Sequence, residues 1–175
     1  MAKGRRQKQR EAILNDPRNA FVLDVRDSEP VTKMTKDINK LANLGSERTI
    51  YLYKQPDLII LETFVNPAIG TRNVIRHEFS EFTSLCPKTG QPDFATLKIE
   101  YVAHKLCVET KSLKLYLFAF RNEGSFMESI CNRICDDLAR KLQPEQISVW
   151  MKFAARGGIA TSVDAHRSNN KAKKR

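Results

Sequence analysis

The clearest pattern in this chain is an alternation of apolar and polar residues over 95–101. Every second residue from Ala95 onward is apolar, and polar residues such as Lys98 and Glu100 stand between them. Successive side chains of a strand point to opposite faces of a sheet, so the alternation predicts a strand that is buried on one face.

Further segments predict three more strands. Apolar residues fill the odd-numbered positions, apart from Thr161, over 147–153 and 159–165. The intervening Gly157-Gly158 pair is typical of a two-residue hairpin turn. Residues 73–79 predict a strand that leads into a loop rich in turn residues.

Two segments instead show the spacing of a helix. Apolar residues recur at helical intervals over 113–120. Residues from Phe126 to Leu138 include an apolar side chain at every fourth position, which predicts a helix over 126–142 that Pro144 closes.

The order strand, strand, helix, helix, strand, strand predicts an α+β fold. Its expected form is a four-stranded antiparallel sheet with two helices on one face. Such a sheet keeps two open edges, which are a liability unless they are paired. Edge pairing around a ring of subunits would remove them, so these edges are expected to need partners.

The first part of the chain has weaker signals. Residues 1–18 resemble a flexible arm, 21–25 predict a short strand, and 35–45 predict a short helix. Short extended runs are expected at 49–53 and 58–64.

These signals divide the chain into three segments. A basic N-terminal arm with a short helix is expected over 1–46, a folded domain over 47–166, and a basic disordered tail over 167–175. With 175 residues and 41% hydrophobic residues, the chain is long and apolar enough for about one domain with its own core.

The net charge of +10 lies in the two ends of the chain. Residues 1–10 and 167–175 each contain five Lys or Arg and no acid; without these ten, 20 of the 30 basic residues remain against 20 acidic ones. Residues 11–166 are therefore formally neutral. Basic tails of this kind are usually solvated, and they can also contact RNA or anionic surfaces weakly.

The cysteines and the absence of long apolar runs favour the cytoplasm. The four cysteines lack an accompanying secretion signal, so reduced thiols are expected rather than disulfides. No apolar run approaches the roughly 20 residues that span a bilayer, so no membrane contact is expected. The three histidines are scattered without ligand spacing, which argues against a zinc site.

A cysteine in a turn-rich loop is the candidate for chemistry. Cys86 is followed by Pro87, Gly90 and Pro92, which stiffen the loop, and then by Asp93. A thiol nucleophile needs an exposed sulfur near a group that accepts and returns its proton. By itself this spacing is equally compatible with a structural loop that carries a spare thiol and a turn aspartate.

Other motifs give the loop a family context. The segments 81–94, 109–116, 120–122 and 156–159 occur in the order and spacing of one enzyme family. From about residue 49 to about 166 the chain resembles the NADPH-dependent 7-cyano-7-deazaguanine reductases, the nitrile reductases of queuosine biosynthesis in tRNA modification.

The resemblance implies a fold, an assembly and a reaction. The fold is the tunnelling fold, whose subunits form pentameric rings that stack in pairs. The reaction reduces the nitrile of 7-cyano-7-deazaguanine to an aminomethyl group, with NADPH as the cofactor. Cys86 matches the nucleophile that forms a covalent thioimide, and Asp93 matches its acid/base.

The remaining site residues also follow from the resemblance. Glu128 matches the acid that reads the guanine-like edge of the substrate, with Glu109 and Ser112 as further substrate ligands. Lys111, Lys114 and Arg156 match positions that hold the phosphates of NADPH.

Each of these residues also has a simpler interpretation. Lys111 and Lys114 fit a solvated helix face, and Arg156 fits an exposed turn arginine. Ser125 and Glu128 fit the capping box Ser-x-x-Glu at the start of the second helix.

One position departs from the family. The family places a histidine directly before the glutamate, and here that residue is Met127. Methionine cannot donate a proton, so the reduction steps are expected to be slower or changed unless His77 or His104 replaces that histidine in space.

Two other functions compete with the reductase. A related family adds ammonia to the same nitrile on tRNA, as in archaeosine synthesis; the basic tails and Met127 favour it, and the 109–116 motif argues against it. A non-catalytic ring that binds RNA through its tails is the other, but it would need no reactive cysteine near Asp93.

Overall fold

The computed structural model describes residues 55–169 of the chain. Within that part lie a 3₁₀ turn, Leu58–Ile60, and the strands and helices β1 Thr63–Val65, β2 Asn73–Leu85, β3 Pro92–Ala103, β4 Leu106–Val108, α1 Thr110–Phe118, α2 Met127–Leu142, β5 Gln146–Phe153 and β6 Ser162–Ser168. The arm, strand and helix expected before residue 47, and the run at 49–53, lie outside the described residues.

The main sheet has the predicted architecture. Its strand order is β2-β3-β5-β6, and every neighbouring pair is antiparallel. Helix α2 packs on β5 and β6, and Ile130, Ile134 and Leu138 are buried in the core, whereas Phe126 at the start of the predicted apolar stripe is 58% exposed. The predicted fold class is therefore confirmed.

A small second sheet was not anticipated. Strands β1 and β4 pair antiparallel, with Thr63 opposite Val108. The expected extended run at 58–64 is interrupted because the Asp57 side chain accepts a hydrogen bond from the Ile59 backbone N–H and starts the 3₁₀ turn. Extended backbone begins only at Thr63.

The C-terminal boundary of the domain must be moved. The disordered tail was expected from residue 167, but β6 continues to Ser168 and pairs Arg167 with Ile147. The Arg167 Nε lies 2.7 Å from Asp136 Oδ1 on α2, so this basic residue belongs to the fold. At the other end, β6 starts at Ser162 rather than 159, and Ile159 is 72% exposed.

Two hairpins meet at one end of the sheet. In the β2–β3 hairpin, Ser84 pairs with Asp93. In the other, Gly157 and Gly158 have φ of +54° and +84°, as the predicted two-residue turn between Arg156 and Ile159 requires. The Ala154 backbone N–H donates to the Phe94 carbonyl at 2.8 Å, which fixes the second hairpin beside the first.

The cysteines of α2 belong to the core. Cys131 and Cys135 are fully buried, and burial raises the pKa of Cys131 to about 12 and that of Cys135 to about 11. All four cysteines are free thiols. Neither helix in the described part of the chain has the length and apolarity that crossing a bilayer needs.

A buried polar pair ties α1 to α2 and generates a stability prediction. The Tyr116 hydroxyl donates to Asp137 Oδ2 at 2.7 Å. Hydrogen bonds to charged groups contribute about 1.5–3 kcal/mol, so we expect Tyr116→Phe to lower the free energy of unfolding by about that amount at pH 7. Urea denaturation measures this loss.

The same pair gives a pH dependence. Burial raises the pKa of Asp137, so acid protonates this carboxyl in the folded state and turns the hydrogen bond into a weaker neutral one. The free energy of unfolding lost in Tyr116→Phe should therefore become smaller as the pH falls. In the Asp137→Asn background, where the partner is neutral throughout, this loss should be small and should not depend on pH. An equal cost in both backgrounds would contradict the pairing.

Candidate active site

Cys86 lies at the tip of the β2–β3 hairpin. Its backbone N–H donates to the Gln91 carbonyl at 2.9 Å, and its carbonyl accepts from the Gly90 N–H at 2.9 Å. Gly90 has a φ of +69°, a left-handed conformation that glycine adopts without strain. These bonds close a rigid loop in which the Cys86 side chain is only half-buried.

The loop stabilises the thiolate. Hydrogen bonds from the Thr89 side chain, from the Thr89 and Lys88 backbone N–H groups and from the Arg156 side chain lower the pKa of Cys86 to about 6. The thiolate is the nucleophilic form of cysteine, so at neutral pH most of this thiol is ready to attack an electrophile. The spare-thiol interpretation does not account for such a setting.

Asp93 faces the same side of the hairpin. It is 5% exposed and pairs with Ser84, and the bond from Cys86 to Gln91 continues the same register. Cys86 and Ser84 are two residues apart and share a face, so Cys86 lies diagonally across from Asp93, at a spacing of roughly 7–8 Å in a regular ladder. The Ser84 hydroxyl beside them is buried without a hydrogen-bond partner among the described residues.

Arg156 connects the second hairpin to this pair. Its Nε lies 2.6 Å from Asp93 Oδ1, and its Nη2 donates to the Gln91 carbonyl at 3.3 Å. The Nε–H does not point at the carboxylate oxygen, so the contact with Asp93 is an ion pair rather than a directed hydrogen bond. The sequence assigned Arg156 only to phosphate binding or to an exposed turn, and neither reading anticipated this contact.

A third segment runs beside the hairpin. Leu85 exchanges backbone hydrogen bonds with Glu123 and Ser125 at 3.0 and 3.1 Å. A Cβ at Gly124 would lie 3.6 Å from the Pro87 Cα, so the two loops are in close contact. This contact sets the N-terminus of α2 beside the cysteine loop.

Glu128 projects from the first turn of α2. The expected capping box is wrong, because Phe126 is the N-cap residue and no side-chain hydrogen bond caps the helix. Glu128 is exposed, and the partial positive charge of a helix N-terminus favours a carboxylate there. Because Glu128 does not cap the helix, its carboxylate is suited to bind a ligand.

Met127 stands where the resemblance places a histidine, and it packs partly buried against the core. Neither proposed replacement is near Cys86 in the same subunit. His77 lies nine residues earlier on β2, roughly 30 Å away at the rise of a strand, and His104 follows the far end of β3. The His77 ring instead stacks on Tyr101, with centroids 6.1 Å apart.

Glu109 caps helix α1, a role that the sequence analysis missed, and the Ser112 hydroxyl lies in a hydrogen-bond network beside it. The Glu109 carboxylate accepts from the backbone N–H groups of Lys111 and Ser112 at 2.8 and 2.6 Å. The Ser112 hydroxyl accepts from the Glu62 N–H at 2.9 Å and donates to the Glu109 carbonyl at 2.8 Å. Glutamate is an unusual N-cap residue, so the sequence offered little signal for it.

Lys111 and Lys114 share one face of α1. They are three residues apart on the helix, so their ammonium groups are suited to one polyanionic ligand. The helix packs beside the middle of β2, where Phe118 and Phe79 ring centroids are 6.2 Å apart. In the described residues, no group of three His, Cys, Asp or Glu side chains is arranged to hold a metal ion.

Several known proteins have sequences similar to that of this chain. The family described as QueF-like protein matches residues 92–172. The NADPH-dependent 7-cyano-7-deazaguanine reductase of Anaeromyxobacter sp. (strain K) is 57% identical over 105 residues, which are 60% of this chain and 86% of that protein. The protein of the same name from Bacillus cytotoxicus is 48% identical over 135 residues, covering 77% of this chain and 79% of its own length.

A solved structure shares the fold. The archaeosine synthase QueF-Like in its apo form superposes with a TM-score of 0.51 at 17% identity. The match covers 55% of this chain and 94% of that one. At this identity the likeness concerns the tunnelling fold alone.

The Cys86 loop generates a prediction on thiol reactivity. Thr89→Val removes the hydroxyl that contributes most to the lowered pKa of Cys86, so we expect that pKa to rise from about 6 by about one unit. The measurement is the rate of iodoacetamide alkylation at Cys86 against pH. Thr89→Ser keeps a hydroxyl and should resemble the wild type; an unchanged profile in Thr89→Val would refute the assignment.

Proposed function

This chain belongs to the family of NADPH-dependent 7-cyano-7-deazaguanine reductases, and we propose that it reduces 7-cyano-7-deazaguanine to 7-aminomethyl-7-deazaguanine for queuosine in tRNA. The observation that carries this proposal is the setting of Cys86: a half-exposed thiol of low pKa, held on a rigid hairpin with Asp93 and Arg156.

The first step is addition of sulfur to the nitrile. A soft thiolate attacks the nitrile carbon, one C–N π bond breaks, and its electron pair moves to nitrogen. Asp93 takes the proton of the Cys86 thiol and delivers it to that nitrogen, so the product is a neutral thioimide. The low pKa of Cys86 makes loss of the thiol proton easier at neutral pH.

The residues of this chain fit a phosphate-bearing cofactor. Lys111 and Lys114 on α1 and Arg156 at the hairpin supply three positive charges for the phosphates of NADPH. Asp93 and Gln91 already engage part of the Arg156 guanidinium, but its five N–H donors leave capacity for a phosphate. When bound, NADPH supplies hydride, and two equivalents convert the nitrile carbon to the amine level.

Recognition of the base falls to the N-terminus of α2. The guanine-like edge presents a ring N–H and an amino group, and a single carboxylate accepts from both. Glu128 is exposed, does not cap the helix and lies beside the cysteine loop. The Glu109 carboxylate is already engaged in capping α1 and the Ser112 hydroxyl already donates to the Glu109 carbonyl, so any contact with the substrate would use their remaining lone pairs.

The assembly we propose is a homo-oligomer of stacked pentameric rings. Strands β2 and β6 are the two edges of the main sheet, and pairing them between subunits would close a ring. Phe94 and Phe126, near the Cys86 hairpin, are 60% and 58% exposed, which fits an apolar surface that a neighbouring subunit or the substrate covers. We place the protein in the cytoplasm, with weak RNA contact through its basic ends.

An amidine-forming transferase is the second candidate. Met127 favours it, because ammonia addition to the thioimide needs no hydride and does not depend on the missing histidine. The cationic face of α1 favours the reductase, since a transferase has no use for NADPH.

Substrate turnover tests the proposal. We expect 7-cyano-7-deazaguanine to produce the ultraviolet absorbance of a thioimide, and subsequent NADPH to be oxidised in a ratio of two per substrate. Cys86→Ala should abolish the adduct, whereas Cys107→Ala, at a buried cysteine outside the loop, should retain it. An adduct that reacts with ammonia but leaves NADPH intact would identify the transferase.

A second test concerns Met127. We expect Met127→His to speed NADPH oxidation by at least about tenfold while leaving thioimide formation unchanged, because a positioned proton donor contributes about 10²–10⁴-fold. Met127→Leu is the apolar control and should match the wild type. Equal rates in the histidine and leucine variants would show that the reduction steps do not use a proton from this position.

A further inference from the structure

We propose that Arg156 is a positioning residue for thioimide formation: it holds one positive charge between the Asp93 carboxylate and the Cys86 sulfur. This inference rests on the proposed function, and it gives Arg156 a task before any cofactor is needed.

The geometry of the hairpin requires such a residue. Cys86 and Asp93 are diagonal neighbours with short side chains, so proton transfer between them needs both side chains to be held in position. The Arg156 guanidinium reaches Asp93 Oδ1 at 2.6 Å and donates to the Gln91 carbonyl beside Cys86, and its side chain lowers the pKa of the Cys86 thiol. It therefore links two groups that the strand ladder alone leaves apart.

One carbonyl ties Arg156 directly to the cysteine backbone. The Gln91 oxygen accepts from Arg156 Nη2 at 3.3 Å and from the Cys86 N–H at 2.9 Å. Loss of the guanidinium would remove one of the two hydrogen bonds to the Gln91 carbonyl as well as the ion pair with Asp93. The β5–β6 turn reaches this point because Ala154 is bonded to Phe94 at the start of β3.

Burial makes the charge necessary. Asp93 is 5% exposed, and a buried carboxylate is strongly disfavoured unless a cation or several donors compensate it. In the structure the compensating cation is Arg156. The neighbouring Ser84 hydroxyl is fully buried but has no hydrogen-bond partner among the described residues, so it does not compensate this carboxylate.

The charge also remains balanced during the step. Before attack, the thiol and carboxylate share one proton and carry one negative charge opposite Arg156. Sulfur then passes its charge to the nitrile nitrogen, which takes the proton from Asp93. The carboxylate is ionised again, so one negative charge faces the guanidinium throughout.

The assignment differs from phosphate binding in what it predicts. A residue that only held NADPH would change the Michaelis constant of the cofactor and leave thioimide formation untouched. A residue that organises Cys86 and Asp93 changes thiol reactivity and adduct formation in the absence of NADPH.

The experiment compares Arg156→Gln, which keeps size and polarity without charge, with Arg156→Lys, which keeps the charge. Arg76→Gln removes an exposed arginine that pairs with Glu100 and is the matched control. Iodoacetamide alkylation at Cys86 and thioimide absorbance are each followed against pH without NADPH, and circular dichroism verifies folding of each variant.

We expect Arg156→Gln to move both pH profiles upward by about one unit, which slows adduct formation about twofold at pH 7 and about tenfold at pH 5. Arg156→Lys should restore most of the reactivity, because the contact is ionic rather than directed, and Arg76→Gln should match the wild type. Unchanged profiles in Arg156→Gln, or no rescue by lysine, would overturn the inference. If Arg156→Gln does not fold, the lysine variant decides alone: profiles close to wild type support the inference, and a full upward shift overturns it.

Failure of the proposed function can be distinguished from failure of this inference. If wild-type protein forms no thioimide with 7-cyano-7-deazaguanine, the reductase assignment fails, but the alkylation profiles still measure the effect of Arg156 on Cys86.

Discussion

The ion pair between Arg156 and Asp93 is the contact on which the candidate site depends. It joins two hairpins that are far apart in the sequence, at the end of the sheet where the reactive cysteine lies. A carboxylate as buried as Asp93 needs a cation, and the cation is delivered by the turn between β5 and β6. The antiparallel ladder β2-β3-β5-β6 is what brings them together.

The cysteine loop illustrates how a local structure creates reactivity. Pro87 and Gly90 shape a turn in which backbone N–H groups and the Thr89 hydroxyl surround one sulfur. The effect resembles an anion-binding nest, in which successive backbone donors favour a negative charge. The three other cysteines are buried, and burial raises the pKa values of Cys131 and Cys135. Of the four thiols, the fold therefore exposes Cys86 alone and lowers its pKa.

The two helices are capped differently at their N-termini. Helix α1 begins at a glutamate that satisfies its own backbone donors, whereas α2 begins at Phe126 without any side-chain cap. The second arrangement leaves Glu128 open near the cysteine loop, and it places Met127 against the core. Since no histidine of the described chain lies near Cys86, the proton donor that we propose at this site is Asp93.

The sequence by itself predicted the four strands of the main sheet, the helix that the structure has at Met127–Leu142, the two-glycine turn and the turn-rich loop that carries Cys86, although β2 and β6 have other ends than expected. Alternation, helical spacing and turn residues are local signals, and the burial of Leu97, Ile99 and Tyr101 follows from them directly. The family resemblance added roles for Cys86 and Asp93. Only the tertiary structure placed Arg156 on Asp93, made Glu109 a cap, freed Glu128 from one and brought Arg167 into β6. The contacts of Arg156 and Arg167 depend on which strands and helices become neighbours, and contacts between residues that are tens of positions apart leave no periodic trace in the chain. The helix starts at Glu109 and Phe126 are local, but neither residue type is a typical N-cap, so the sequence carried little signal for them.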